Sequence, residues 1–540
     1  MGIQEGDKGG LLYTAASNVL WAANKAVRLL NGSSREQHGW DPYMKGAFAP
    51  QRDEILQEVE VIEGELPPDL AGCYLRTGPN PKLDPLGGYH WFDGDGMVHA
   101  VRIADGKATY CNRWVQTSRL QQEGRAGWPL VPKIGDSRGT SFMAVVALRR
   151  MAERLGLLDS SRGTGTANTA IAFHAGRVLA LHEGDLPYAL RIACSGLVET
   201  IGRCSFGGKI GTQRFTAHPK TDPETGEMFT FAYSVDKPPY CWFGVIDKEG
   251  RVARKMPVPL PEPIMMHDCA LTKNYMLLVD VPLVFDPKVM IKENKLPFVL
   301  KDRPMRIGVV PRAATSADEI RWFASEPVMC FHTCNAWEEG SKIKLFLCTF
   351  PKFSLDAFTA EEGSDPVMSQ LTIDLDSGAT TLQRMDESAA GVGDFPVVPP
   401  SLVGRPTRYA YFGNMRTNER GVPEFAGITK FDLQASCWGS RAGPGKGAVA
   451  GHLLHGGARL GGEAVFVPRP GGTVEDDGYL MTYVTDTQTK ASELVVYDAA
   501  TMSPKPVARL RMPHTVPFGF HGGWVSAEQL AAQGEPSLIV

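Results

Sequence analysis

The stretch Phe215-Thr216-Ala217-His218-Pro219-Lys220-Thr221-Asp222-Pro223-Glu224-Thr225-Gly226-Glu227-Met228-Phe229-Thr230-Phe231-Ala232-Tyr233 contains the pattern that decides the fold. A turn, Asp222-Pro223-Glu224-Thr225-Gly226, runs into a short segment dominated by aromatic and β-branched residues. That composition reads as a strand bounded by turn chemistry. The pattern recurs at residues 176–181, 275–280, 342–347, 408–412, 479–484 and 493–498. Strands grouped in this way over nearly the whole chain predict an all-β β-propeller, whose innermost strands converge on a central axis. Two segments break the rule. Residues 141–158 read as helices, with Phe142, Val145, Val146, Arg149 and Leu148, Met151, Leu155 at helical spacing forming an apolar patch. Residues 11–30 read as one amphipathic helix, with Leu12, Ala16, Val19, Ala23, Val27 and Leu30 at three- and four-residue steps and Asn31-Gly32 as a stop signal. That helix is expected either to pack on the protein body or to lie in a membrane surface.

The bulk numbers narrow the function classes. In 540 residues the formal net charge is −4 and charged residues make up 21%, so no nucleic-acid partner is expected. The 58 glycines and 39 prolines fit a chain of many turns. Ten cysteines include no Cys-x-x-Cys pair. Cys330 and Cys334 bracket His332 on what alternation makes one strand face, so a zinc site is conceivable, but buried thiols in a reducing compartment are the expectation. The N-terminus lacks a secretory signal and carries Glu5 and Asp7 with little arginine, which predicts a cytoplasmic protein. No apolar run reaches spanning length.

Four histidines sit beside strand-forming sequence in well-separated places: His218, His267 in Met265-Met266-His267-Asp268, His332 in Cys330-Phe331-His332-Thr333, and His521 in Phe518-Gly519-Phe520-His521-Gly522-Gly523. Neutral imidazole is the commonest protein ligand for a transition metal. A propeller axis could gather four of them despite separations of 49, 65 and 189 residues. A cage of imidazoles without a carboxylate leaves the ion's charge in place, which suits a ferrous centre with open positions for oxygen. Residue type alone does not separate these four from the other eight histidines.

Wider context does. The chain resembles the carotenoid cleavage dioxygenases through Gly78-Pro79-Asn80-Pro81, His90-Trp91-Phe92-Asp93-Gly94-Asp95-Gly96-Met97, Gly165-Thr166-Ala167-Asn168-Thr169-Ala170 and Leu181-His182-Glu183-Gly184-Asp185-Leu186-Pro187-Tyr188. The series continues with Asn335-Ala336-Trp337-Glu338-Glu339 and Gly461-Gly462-Glu463, and with the four histidine motifs. The resemblance implies a seven-bladed propeller with a helical cap around residues 140–160, a single domain over residues 46–540 after an N-terminal segment 1–45, and Fe(2+) held by His218, His267, His332 and His521. It implies that Glu183, Asp394 and Glu463 accept the ring N–H of three ligands, Asp394 standing where many relatives have Glu and so reaching closer or through a water. It also implies that Thr169 crowds an open coordination site. The stretches 218–229 and 263–268 look most like the plant cytosolic enzymes that cleave carotenoids at 9,10 and 9′,10′. The glycine-rich stretch 439–457 departs from that pattern and is expected to lengthen a surface loop.

The implied reaction joins O2 to a carotenoid or apocarotenoid and yields two carbonyl products. It needs no side-chain nucleophile, in keeping with the lack of a Gly-x-Ser-x-Gly elbow. Rival readings are a stilbene-cleaving dioxygenase, a retinoid-type isomerase and a non-catalytic propeller scaffold. Substrates this insoluble predict peripheral membrane contact through residues 11–30 or 142–158, aided by Lys25, Arg28, Arg149 and Arg150.

Overall fold

The computed structural model describes residues 5–30, 43–355, 365–385, 391–418, 422–435 and 448–534. Seven antiparallel sheets of four to six strands form the blades of a propeller, with one additional two-stranded hairpin. Blades 2, 3, 5 and 6 are built in simple chain order, beginning at Ala170–His174, Lys220–Thr221, Met329–Glu339 and Asp394–Val397 respectively. Blade 4 begins at Cys269–Leu271, and the hairpin of Leu283–Phe285 with Phe298–Leu300 is inserted into it. Inner strands of neighbouring blades touch along the axis.

Closure is made from both ends of the chain. Blade 1 is built mainly from the N-terminal part, with Gly72–Pro79 paired to Gly96–Ala104, and is completed by the C-terminal strand Gly522–Ser526. Blade 7 is mostly C-terminal but takes Val61–Gly64 on its outer edge, paired with Ala508–Arg511. No open seam is left between first and last blades, which removes an exposed sheet edge.

The apolar residues predicted to form strands fill the gaps between blades. Leu75, Val98, Val178 and Val525 pack between blades 1 and 2, and Phe229, Phe243, Leu278 and Val310 between blades 3 and 4. Leu480, Val495, Tyr411 and Ile428 do the same between blades 6 and 7. Each such buried side chain is worth about 1.5–3 kcal/mol.

The cap consists of α1 (Glu5–Leu30), α2 (Ser118–Ala126), α3 (Ser141–Arg154) and the short α4 (Pro287–Glu293) inside the hairpin. Helix α1 forms as expected, but its apolar stripe is split, with Ala16, Ala23 and Val27 half-buried towards the body and the larger Leu12, Val19 and Leu30 turned outward. Ser17, Leu20, Asn24 and Arg28 are buried, while Leu12, Val19 and Leu30 are 73%, 67% and 84% exposed. Polar anchoring sets this rotation. Arg28 Nη2 donates to Asp136 Oδ2 at 2.9 Å, its Nε to Asn24 Oδ1 at 2.7 Å, and Trp128 Nε1 donates to Ser17 Oγ at 2.9 Å. The patch assigned to α3 is corrected in part. Val145 is buried and Leu148 packs beneath α1, whereas Met143, Met151 and Leu155 face outward. The Asn31-Gly32 stop lies outside the described residues. So does 439–447 of the glycine-rich stretch. Val449–Leu454 of that stretch is no loop but the outer strand of blade 6, with Leu453 buried.

The Arg28–Asp136 pair leaves both side chains only 5% exposed. Removing one partner of such a pair costs about 3–5 kcal/mol because the other charge stays buried. Arg28→Met is therefore expected to release α1. Amide exchange across Glu5–Leu30 should accelerate strongly while propeller strands keep their protection, as measured by hydrogen exchange.

Candidate metal centre

Every blade sends one of seven polar side chains towards the axis. His521 immediately precedes the C-terminal strand of blade 1, and Glu183 follows Arg177–Leu181 of blade 2. His218 and His267 stand just before the inner strands of blades 3 and 4, and His332 lies within Met329–Glu339 of blade 5. Asp394 opens the inner strand of blade 6, and Glu463 precedes Val465–Pro468 of blade 7. The ligand nitrogens of the four histidines all lie within 4.8 Å of one another. Nε2 of His267 is 3.0 Å from that of His218 and 3.1 Å from that of His332, and Nε2 of His521 is 3.1 Å from that of His332.

The other ring nitrogens are already committed. His332 Nδ1 donates to Asp394 Oδ1 at 2.8 Å, His521 Nδ1 donates to Glu463 Oε1 at 2.8 Å, and His267 Nδ1 donates to Glu183 Oε1. No carboxylate faces the His218 ring among the described residues. A neutral imidazole that donates from Nδ1 has only a lone pair at Nε2. The His267–His332 and His332–His521 approaches are then lone pair against lone pair, not hydrogen bonds. Such a set is stable around a shared cation. Two nitrogen ligands at right angles, each about 2.1 Å from one ion, stand about 3.0 Å apart, which matches the separations here. Imidazole donors suit Fe as well as Zn, Cu and Ni.

Electrostatics agree for His218 and His332. Burial, with the neighbouring imidazoles and Lys220 adding to it, holds His218 well below the usual histidine range. Burial also lowers His332 against the pull of Asp394. Burial opposes charge on His267 too, but Glu183 outweighs it and leaves that ring above its ordinary value. Glu183 itself, although buried, is held below the usual carboxylate range by His267 and Tyr233.

Residues 48–526 match the family model described as retinal pigment epithelial membrane protein. A carotenoid 9,10(9′,10′)-cleavage dioxygenase 1 of Arabidopsis thaliana is 41% identical over 515 residues, covering 94% of this chain and 93% of its own. Its namesake in Pisum sativum is 39% identical over 555 residues, covering 99% and 100%. The chain belongs to the carotenoid cleavage dioxygenase family. Among solved structures it is similar to a lignostilbene dioxygenase of Pseudomonas brassicacearum (25% identity, TM-score 0.75, covering 91% of this chain and 99% of that one). It is also similar to a cobalt-substituted ACO, the apocarotenoid oxygenase, of Synechocystis (26% identity, TM-score 0.72, covering 88% and 97%). With the lone-pair geometry above, the four-histidine cluster of this dioxygenase chain fits a non-haem Fe(II) site.

On the cap side, the dioxygenase cage opens into a cavity of about 330 Å³. Its wall is largely aromatic and apolar, with Trp91, Phe92, Phe331, Phe350, Phe395 and Phe520 lining it beside Met265 and Met415. The rings brace one another: Trp91 and Phe520 have centroids 4.6 Å apart, and Phe395 stacks on His521 at 4.5 Å. Phe395 does so from a left-handed backbone (φ 57°), a strained conformation for an aromatic residue that its contacts must hold. Thr169 lines the same cavity, and its hydroxyl donates to Asn168 Oδ1 at 3.0 Å, which leaves no donor free for the cavity.

Three features correct or extend the sequence reading. Asp394 reaches His332 directly at 2.8 Å, the closer of the two arrangements expected of the shorter side chain. Tyr233, the last residue of the strand quoted first, donates to Glu183 Oε2 at 2.5 Å, a role that strand alternation alone does not reveal. Asp268, noted only as part of a motif, accepts from Lys220 Nζ at 2.9 Å and from Thr333 N at 2.8 Å, and so ties blades 3, 4 and 5 together. The zinc alternative fails for a local reason. Register shifts on both sides of Thr333 break the alternation that placed Cys330 and Cys334 beside His332, and the cluster that gathers His332 among the described residues contains histidines and no cysteine.

Replacing a carboxylate that orients a metal ligand typically costs about 10–100-fold in metal affinity or activity. Glu183→Gln, Asp394→Asn and Glu463→Gln are each expected to lose iron affinity in that range, measured by competition with a chelator. Each histidine changed to Ala should lose both iron and turnover. Full activity in any one of those four variants removes that histidine from the centre.

Proposed function

We propose that the chain is a non-haem Fe(II) dioxygenase that cleaves a conjugated C=C bond of a carotenoid or apocarotenoid. Both atoms of O2 enter the two carbonyl products, and the bond cut is the 9,10 or 9′,10′ one. The observation that carries this reading is the four-histidine cage facing an aromatic cavity, together with 41% identity to an enzyme named for that cleavage. Bound by His218, His267, His332 and His521, Fe(II) supplies the capacity to activate O2 at positions left open.

The chain's own residues do the rest. Glu183, Asp394 and Glu463 keep the proton at Nδ1 of three rings, so that their Nε2 lone pairs stay directed at the ion. The aromatic wall binds the polyene by apolar contact and excludes water. Thr169 narrows the space on the cap side of the centre. With few polar handles on the substrate, the depth to which the polyene enters sets the bond that is presented. After anaerobic loading with iron, a panel of carotenoids supplied with 18O2 should give 9,10-cleaved products labelled in both carbonyls. Isomerised product without O2 uptake overturns the dioxygenase reading, and cleavage elsewhere overturns the bond assignment alone.

The same proposal places the enzyme in the cytoplasm, docked peripherally on the membrane that holds its substrate. No helix among the described residues is long and apolar enough to cross a membrane. The support lies on the cap, where Leu11, Leu12, Val19, Leu29 and Leu30 of α1, Met143 and Met151 of α3 with Leu155 beyond it, and Ile291 of α4 are exposed. Ile134 and Phe298, from the segments that hold α1 and carry α4, line the cavity. Each large apolar side chain buried in lipid is worth about 1.5–3 kcal/mol, so a few give reversible attachment. Deleting residues 1–30, or changing Met143, Met151 and Leu155 together to Ser, should reduce flotation with liposomes. Undiminished flotation of both variants, or a parent that never floats, sinks the docking idea.

A further inference from the structure

The cavity on the cap side is not the only space that reaches the cage. A second space of about 160 Å³ touches His218, His332 and His521, and a third of about 870 Å³ extends beyond it. Three inner strands order these spaces along the axis. In blade 2, Thr169 faces the aromatic cavity, Ala170 the second space, and Phe173 the third. In blade 6 the same sequence is Phe395, Pro396 and Val397, and at the C-terminal strand it is Phe520, Gly522 and Trp524. The second and third spaces share Ile171, Ala172, Glu463 and Gly522 as wall. They therefore form one axial channel that runs from the cage to the face opposite the cap, where Ala527 and Glu528 are exposed.

The two approaches to the cage differ in chemistry. The cap-side wall is mostly aromatic. The axial channel carries four carboxylates, Asp69, Glu528, Glu463 and Asp268, against two cations, Lys220 and Arg469. Lys220 is itself paired with Asp268 at 2.9 Å. A hydrated dication cannot shed its water into an aromatic wall without a large desolvation penalty. The axial channel is polar next to the cage and apolar over much of its outer wall, but it carries excess negative charge, so carboxylate oxygens can replace that water stepwise and the field raises the local cation concentration.

We propose that the axial channel is the route by which the metal ion reaches and leaves the histidine cage, while the aromatic cavity serves the organic substrate. This rests on the metal-centre reading above. It assigns Asp69, Glu528 and Glu463 to the path of a divalent cation and gives the two faces of the propeller separate traffic.

The test follows metal exchange, not turnover. Apoprotein is mixed with Co2+, uptake is followed by the cobalt absorption bands, and release is followed after addition of excess EDTA. Gly523 lines the channel, and a Cβ built on it meets nothing closer than Ile171 Cγ2 at 3.5 Å, so a side chain can be added there. Gly523→Leu should slow uptake and release together by about ten-fold or more, with Kd unchanged, because a barrier on the path alters both directions equally. Glu528→Lys, at the mouth, should slow uptake several-fold at low salt and lose that effect at high salt, where charges are screened. Filling the aromatic cavity anaerobically with an apocarotenoid should leave both rates unaltered. Wild-type rates in both variants, or exchange blocked by the apocarotenoid, overturn the route. A parent apoprotein that binds no Co2+ at one per chain overturns the metal-centre reading instead.

Discussion

Three imidazoles that donate their Nδ1 protons to carboxylates have only lone pairs left at Nε2, and the propeller aims those lone pairs at one point. His267, His332 and His521 hold them at van der Waals contact, and His218 adds a fourth ring. In the low dielectric of a buried site, that arrangement is repulsive without a shared cation. Much of the architecture serves to keep it in place. Seven polar groups come from seven blades, so no ligand and its orienting carboxylate are neighbours in sequence. Each His–carboxylate bond instead crosses from one blade to another: blade 2 to blade 4, blade 6 to blade 5, and blade 7 to blade 1.

The blades can carry that geometry because their own register is secured elsewhere. Apolar side chains fill the gaps between sheets, and the closing strands tie N-terminal to C-terminal sequence in two blades. The carboxylates are held in different ways. Gly522 N donates to Glu463 Oε2 at 2.6 Å, and Phe395 N donates to Asp394 Oδ1 at 2.8 Å, so the backbone fixes both. Glu183 instead depends on a side chain, Tyr233. That branch is the one a single side-chain change can retune without disturbing a strand.

The cap shows how tertiary contacts override a local pattern. Helix α1 satisfies an amphipathic spacing, yet a buried Arg28–Asp136 pair and the Ser17–Trp128 bond turn its polar stripe inward. The large apolar residues Leu12, Val19 and Leu30 then face out, while Ala16, Ala23 and Val27 stay half-buried. Burial of a charged pair outweighs burial of Leu12, Val19 and Leu30 when the partner carboxylate is already enclosed by the body.

From sequence alone came the strands, the all-β class and the four histidines, because strand periodicity, turn chemistry and family motifs are properties of short segments. The motif positions of Glu183, Asp394 and Glu463 were legible in the same way. Tertiary structure decided which histidine meets which carboxylate, that Tyr233 holds Glu183, that Asp268 links three blades, and which face of α1 is hidden. These depend on contacts between residues about 50 to 110 positions apart in the chain. No local pattern encodes such a contact. It exists only once the blades close into a ring and bring their inner ends to one axis.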